Sequence, residues 1–239
     1  MTLDAAIAQW LDTTARDDSV SPAEAESRAL SLALLARYFG RLSQLAEMTP
    51  ACLRDFLSRW LIENAGSASR PADPHSPALA PPDPLALSDT LTAFIGWLSN
   101  QTGVAADDCL AVVAELRERL PRAITISTRM SEWLAGRGGA FGFPEFLTSF
   151  EAGGRSQYDL DTAGEAGSVE GYFRIMRIAG GQVEAEEMLT EVSVAPILFP
   201  EPVAALLEPD YIINLELVRV NEAWQIVGCG FAYPPGTDV

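Results

Sequence analysis

The chain has 239 residues with a formal net charge of −17; all sixteen basic residues are arginines, and the one histidine is His75. With no lysine, a Schiff-base lysine, a phosphate-loop lysine and a kinase-type lysine are excluded, and a lone histidine in a Pro/Ser-rich connector excludes a histidine-based dyad or triad on a rigid element. The hydrophobic fraction of 48% and charged fraction of 21% are those of a soluble globular protein, and no apolar run reaches the roughly 18–20 residues that a membrane span needs.

Met1 to Trp10 carries Asp4 and no basic stretch, so no signal peptide is expected and the expected location is cytoplasmic. The first 150 residues read as a series of helices. Ser21-Pro22-Ala23-Glu24 combines an N-cap serine, a first-turn proline and a capping-box glutamate. Leu30, Leu34, Leu35, Tyr38, Phe39, Leu42 and Leu45 then share one face at three/four spacing. Thr49-Pro50 restarts the pattern through Leu53, Phe56, Leu57, Trp60 and Leu61 until Gly66. Residues 66–84 hold six prolines and no periodicity, which predicts a mobile loop carrying His75. Ser88 is the expected cap of the next helix (Leu91, Phe94, Ile95, Trp97, Leu98); two more follow, Ala106 to Leu120 and Pro121 to Leu134. Trp10, Trp60, Trp97 and Trp133 read as core anchors.

Glycines 136, 138 and 139 end the helices, and Phe141, Phe143, Phe146, Leu147 and Phe150 are too apolar for a free linker. After Gly153-Gly154 the pattern becomes that of strands: 169–178 and 182–188 form a hairpin around Gly180-Gly181, and 192–199 is a third strand. A short helix at 200–208 precedes strands at 211–220 and 224–233, with Ile213, Leu215 and Leu217 pointing inward and Trp224 expected inside the barrel. Five short strands with tight turns predict a small barrel.

Charge divides unevenly. Residues 1–150 hold 18 acids against 12 arginines, and residues 151–239 hold 15 against 4, so the second part repels phosphate backbones. The local arginine excesses are Arg28, Arg37, Arg41, Arg54 and Arg59, and Arg117, Arg119, Arg122, Arg129 and Arg137. These are the candidate contacts for an anionic partner, with solvated helix faces as the simpler reading. Cys52, Cys109 and Cys229 are too far apart in sequence for a zinc motif and read as reduced thiols. Glu184, Glu186, Glu187 and Glu191 are the densest acidic group; Glu184 and Glu186 share a strand face, which reads as solvated.

Two stretches carry resemblances. The order of a long amphipathic helix, Met48-Thr-Pro-Ala-Cys-Leu-Arg-Asp-Phe-Leu and Leu91-Thr-Ala-Phe-Ile-Gly-Trp-Leu resembles the SAM-like core-binding domain of tyrosine recombinases over residues 24–103. The resemblance implies a helical scaffold without the recombinase catalytic domain, and nucleic-acid association as an alternative function. Asp159 to Glu170 resembles an EF-hand calcium loop, with acids at positions one, three and twelve and glycine at six; it departs at five and eight, Ala163 and Ala166. A Gly-rich acidic surface loop is the favoured reading there.

The expectation is therefore an α+β chain: a helical domain over 1–140, an aromatic connector over 141–154 packed between the parts, and a small SH3-like β-barrel domain over 155–239. No catalytic, cofactor-binding or metal-binding residue is assigned. The expected function is a non-catalytic interaction or regulatory protein whose partner is another protein; the alternatives are nucleic-acid association through the helical part, or a carboxylate-based enzyme whose site is assembled only in the fold.

Overall fold

The computed structural model of the chain describes residues 1–16, 20–40, 44–68, 82–102, 106–137, 140–141 and 167–239. His75, the body of the 66–84 segment, the connector beyond Phe141 and the start of the Asp159–Glu170 loop lie outside the described residues. A helical N-terminal region is followed by a small closed β-barrel, and the chain divides into compact units at Met1–Pro121 and Arg122–Thr237.

The first unit contains α1 (Leu3–Ala15), α2 (Pro22–Phe39), α3 (Pro50–Asp55), α4 (Leu61–Ala68), α5 (Pro84–Thr102) and α6 (Asp107–Leu116). Its helices begin where side-chain acceptors meet otherwise unbonded amides: Thr2, Ser21 and Thr49 accept from Ala5, Glu24 and Cys52. Two boundaries differ from the sequence expectation. Gly40, at φ 83°, stops α2 at Phe39, so Leu45, in a following 3-10 turn, is not on its face, and Leu42 lies outside the described residues. The other concerns α5, which begins at Pro84, with Asp83 Oδ1 accepting from the Leu85 amide at 3.0 Å; Ser88 lies buried inside the helix and donates to the Pro84 carbonyl. Asp followed by Pro supplies a cap and a first helical residue together, and that pair outcompetes the later serine.

Between α3 and α4 the helix widens into a π turn, Phe56–Trp60. Buried Ser31, Ser88 and Thr90 each donate to the carbonyl four residues back, at 2.8, 2.9 and 2.7 Å. In a π turn the ladder shifts to the fifth residue, and Ser58 Oγ, 1% exposed as a residue, has no partner among the described residues. The core is built from Leu3, Trp10, Leu35, Phe56, Leu91, Phe94 and Val113, with Trp10 edge-on to Phe94 at 5.8 Å.

The second unit holds α7 (Arg119–Ala135) from Arg122 onward, β1 (Ala140–Phe141), β2 (Ser168–Ala179), β3 (Gln182–Glu187), β4 (Val192–Leu198), α8 (Glu201–Ala204), β5 (Ile212–Val220) and β6 (Ala223–Tyr233). Antiparallel ladders join β2–β3, β3–β4, β2–β5 and β5–β6, and a short parallel pairing, Ile197 with Trp224 and Leu198 with Gln225, closes the ring. β1 adds beside Gly228 and Cys229 of β6. Gly180 and Gly181, both at positive φ, make the β2–β3 turn, as a two-residue hairpin requires. The small barrel expected from sequence thus closes through a parallel contact between its third and fifth strands, with a helix between the third and fourth. That is the strand order of OB-type barrels.

Phe173, Ile175, Ile213, Leu215, Leu217 and Ile226 fill the barrel. Trp224, expected inside, is half-buried beneath the Arg219 guanidinium at 6.0 Å, and of the other tryptophans Trp10 alone is buried. α7 is seated on the barrel by Ser127, whose Oγ donates to the Ala123 carbonyl (3.0 Å) and accepts from the Ala232 amide (2.9 Å). Arg129 adds a bond to the Pro202 carbonyl and Arg122 an ion pair with Glu208.

The two buried serines predict opposite outcomes for one substitution. Ser127→Ala strands the buried Ala232 amide and is expected to destabilise by about 1–3 kcal/mol, whereas Ser58→Ala removes an unsatisfied hydroxyl and is expected to be neutral or to stabilise by up to about 1 kcal/mol. Urea unfolding midpoints of the two variants check both signs.

Candidate functional site

On the outer wall of the barrel, β2, β3 and β4 present their alternate side chains to solvent. Arg174 stands opposite Glu186 and Arg177 opposite Glu184 across the β2–β3 ladder, and both pairs form ion pairs, at 2.5 and 3.1 Å. The ladders slip in register between Ile175 and Arg177 and again between Val183 and Ala185. Around these irregularities lies a shallow groove of about 260 Å³ lined by Arg177, Ala179, Gln182, Glu184, Ala195 and Pro196. Met176 and Leu198, 45% and 42% exposed, stand on the same strands. The wall therefore offers apolar surface and internally neutralised charge. Glu184 and Glu186 do share a face, as their spacing requires, and each has an arginine partner.

The neighbouring wall carries a different arrangement. Glu170 of β2 is the register partner of Glu216 of β5, which places two carboxylates directly across an antiparallel ladder. Gly228 of β6 makes room for Glu216, because a Cβ there would stand 2.7 Å from its carboxylate. Partial burial and the Glu216 charge push the Glu170 carboxyl above the ordinary carboxylate range. Sequence spacing could not reveal this pair, because 46 positions separate its members and only the β2–β5 register joins them.

The arginine excesses read from sequence are largely consumed inside the fold. Glu115 takes a bidentate contact from Arg54 (2.5 and 3.2 Å) and a bond from Arg119 (2.9 Å), so one carboxylate binds one arginine from each excess. Arg54 holds the Glu115 carboxyl below its usual range. Arg28 pairs with Glu24, Arg59 with Asp55, Arg117 with Asp89 and Arg122 with Glu208, and Arg137 lies over Trp133 at 4.7 Å. Asp89, Glu115 and Glu208 lie 28, 61 and 86 positions from Arg117, Arg54 and Arg122, so sequence proximity could not pair them. Arg41 lies outside the described residues.

No two of the cysteines are joined. Burial pushes the Cys109 thiol up and the Cys229 thiol to about 12, so neither carries much thiolate near neutral pH. Tyr38 donates to Asp55 at 2.7 Å, and burial, then this bond, holds its hydroxyl well above the ordinary range. Among the described residues no cluster of three His, Cys, Asp or Glu side chains could hold a metal ion, and no helix is long and apolar enough to cross a membrane. No family model, curated protein or solved structure matches the chain.

Glu170 yields a pH prediction. Its raised folded-state pKa means its contribution to stability is fully present below the unfolded value of roughly 4.3 and is lost as pH rises through the folded value. Glu216→Gln removes the opposing charge, so it is expected to raise the urea midpoint at pH 7 and to change it much less at pH 4. Equal shifts at both pH values would show that the two carboxylates do not interact.

Proposed function

We propose that the chain is a protein-interaction module whose partner seats on the outer wall formed by β2, β3 and β4. The observation that carries this reading is the pairing of exposed Met176 and Leu198 with a shallow groove on a wall whose arginines already have carboxylate partners. OB-type barrels use the corresponding face to bind oligonucleotides or oligosaccharides. Single-stranded nucleic acid needs free cations along its backbone and aromatic faces for its bases. Here β3 and β4 (Gln-Val-Glu-Ala-Glu-Glu and Val-Ser-Val-Ala-Pro-Ile-Leu) carry no aromatic residue, and residues 151–239 hold 15 acids against 4 arginines. A polypeptide suits such a wall better, because it can meet apolar side chains and backbone without bringing phosphate charge. Within the recombinase-like stretch, Arg28, Arg54 and Arg59 are likewise paired, with Glu24, Glu115 and Asp55.

The test compares the wild type with the double variant Met176→Asp, Leu198→Asp in quantitative capture of interacting proteins from cell extract. A specific partner retained by the wild type is expected to be lost from the variant, since each buried apolar side chain contributes roughly 1.5–3 kcal/mol. The unfolding midpoint should stay within about 0.5 kcal/mol because both sites are surface positions. Duplex and single-stranded DNA form the opposing arm: binding at low salt that falls steeply as salt rises would transfer the assignment to nucleic acid.

A further inference from the structure

The turn between β3 and β4 is held more firmly than its exposure suggests. Glu187 ends β3 with its carboxylate buried over Gly171 of β2, where a Cβ would stand 2.6 Å from Oε1. The Thr190 amide and hydroxyl both donate to Glu187 Oε2 at 2.6 Å. The Glu191 amide donates to the Glu187 carbonyl (2.8 Å) and the Met188 amide to the Tyr172 carbonyl (2.9 Å). Burial pushes the Glu187 carboxyl up, but the bonds from Thr190 and Leu189 outweigh it and leave the group below its usual range. This frame presents Leu189 at 90% exposure, with Val192 beside it at 54%. A leucine on a loose loop is unremarkable in water; one on a turn pinned by a buried carboxylate has already given up the freedom that binding would otherwise remove.

The helical unit carries a complementary feature. A groove of about 540 Å³ runs between α1 and α2, walled by Ile7, Leu11 and Leu32 and opened by Ala29, Ala33 and Ala36. Asp4 and Arg37 complete its lining. Arg37 has no carboxylate, carbonyl or ring partner among the described residues, in contrast to the arginines paired above. Glu191, two residues from Leu189, forms no direct ion pair among them, although it lies within the field of the Arg174 guanidinium.

We infer that the chain associates with a second copy of itself head to tail, the Leu189 turn of one copy entering the α1/α2 groove of the next, with Glu191 meeting Arg37. Shape and charge are complementary: an apolar peg enters a groove large enough for Leu189 and Val192, and the Glu191 carboxylate, which has no direct ion pair, meets the Arg37 guanidinium. Asp4 opposes Glu191, which makes the contact specific to one orientation. Because peg and groove are different surfaces, each copy offers one of each, and association either closes reciprocally as a dimer or continues into a larger ring or an open chain. The inference is independent of the wall of β2–β4 and stands or falls separately from it.

Sedimentation velocity on the full chain over a concentration series tests it. The mean mass of the wild type is expected to rise with concentration. Leu189→Asp, which removes the peg, and Ala33→Trp, which fills the groove, should each remain monomeric; both positions are exposed, so folding is preserved. An equimolar mixture of these two variants should form a one-to-one dimer and stop there, since it retains a single usable peg and a single usable groove. Arg37→Gln should weaken wild-type association and Asp4→Asn should strengthen it, each by roughly 2–5-fold, as expected of exposed charge pairs. A wild type that stays monomeric throughout, association that survives Leu189→Asp, or a variant mixture that does not dimerise overturns the proposal.

Discussion

The second unit depends on one strand bonding along both edges. β2 pairs with β3 through its second half and with β5 through its first, and the two ladders overlap at Phe173 and Arg174. An open sheet of this size would leave two rows of unpaired amides and carbonyls, a template for aggregation. Bending β2 into both ladders brings β5 and then β6 round until β6 meets β4, and only two residue pairs are needed there to complete the ring. Closure then decides which side chains are neighbours. It puts Glu170 against Glu216, sets Gly171 beneath Glu187, and turns Arg174 and Arg177 toward the carboxylates of β3.

Glycine does specific work at these contacts. Gly228 and Gly230 lie under Glu216 and Asn214, where added Cβ atoms would stand 2.7 and 2.8 Å from side-chain oxygens. Long polar side chains can thus lie flat across a neighbouring strand. The same device at Gly171 lets Glu187 sit inward and take up the amides of the following turn. A rigid turn is obtained without proline and without a disulfide.

Electrostatics follows a comparable logic in the helical unit. A chain at −17 has carboxylates in surplus, so its arginines find partners easily, and the planar guanidinium suits the bidentate contact between Arg54 and Glu115. Exposed pairs of this kind contribute only a fraction of a kcal/mol each. Their larger consequence is to withdraw positive charge from the surface. Arg37 stands out because that withdrawal did not reach it.

Much of the architecture was legible in the sequence. Period-two alternation in 211–220 marked Ile213, Leu215 and Leu217 as inward, and all three are fully buried. Ser21-Pro22 and Thr49-Pro50 announced helix starts, and Gly180-Gly181 a hairpin, because capping and turn geometry are local properties of a few adjacent residues. Ser88 misled, since a cap is chosen by competition and Asp83-Pro84 came first. What the sequence could not disclose lies between residues far apart in the chain. The parallel β4–β6 closure, the Glu170–Glu216 opposition, the sharing of Glu115 by Arg54 and Arg119, and the partial exposure of Trp224 depend on register and packing, which are decided only when every element competes for the same core. Composition determined which chemistries the chain lacks and local pattern determined its elements; tertiary structure alone decided which charges are spent, because a carboxylate 28 or 61 positions away can be the nearest one in space.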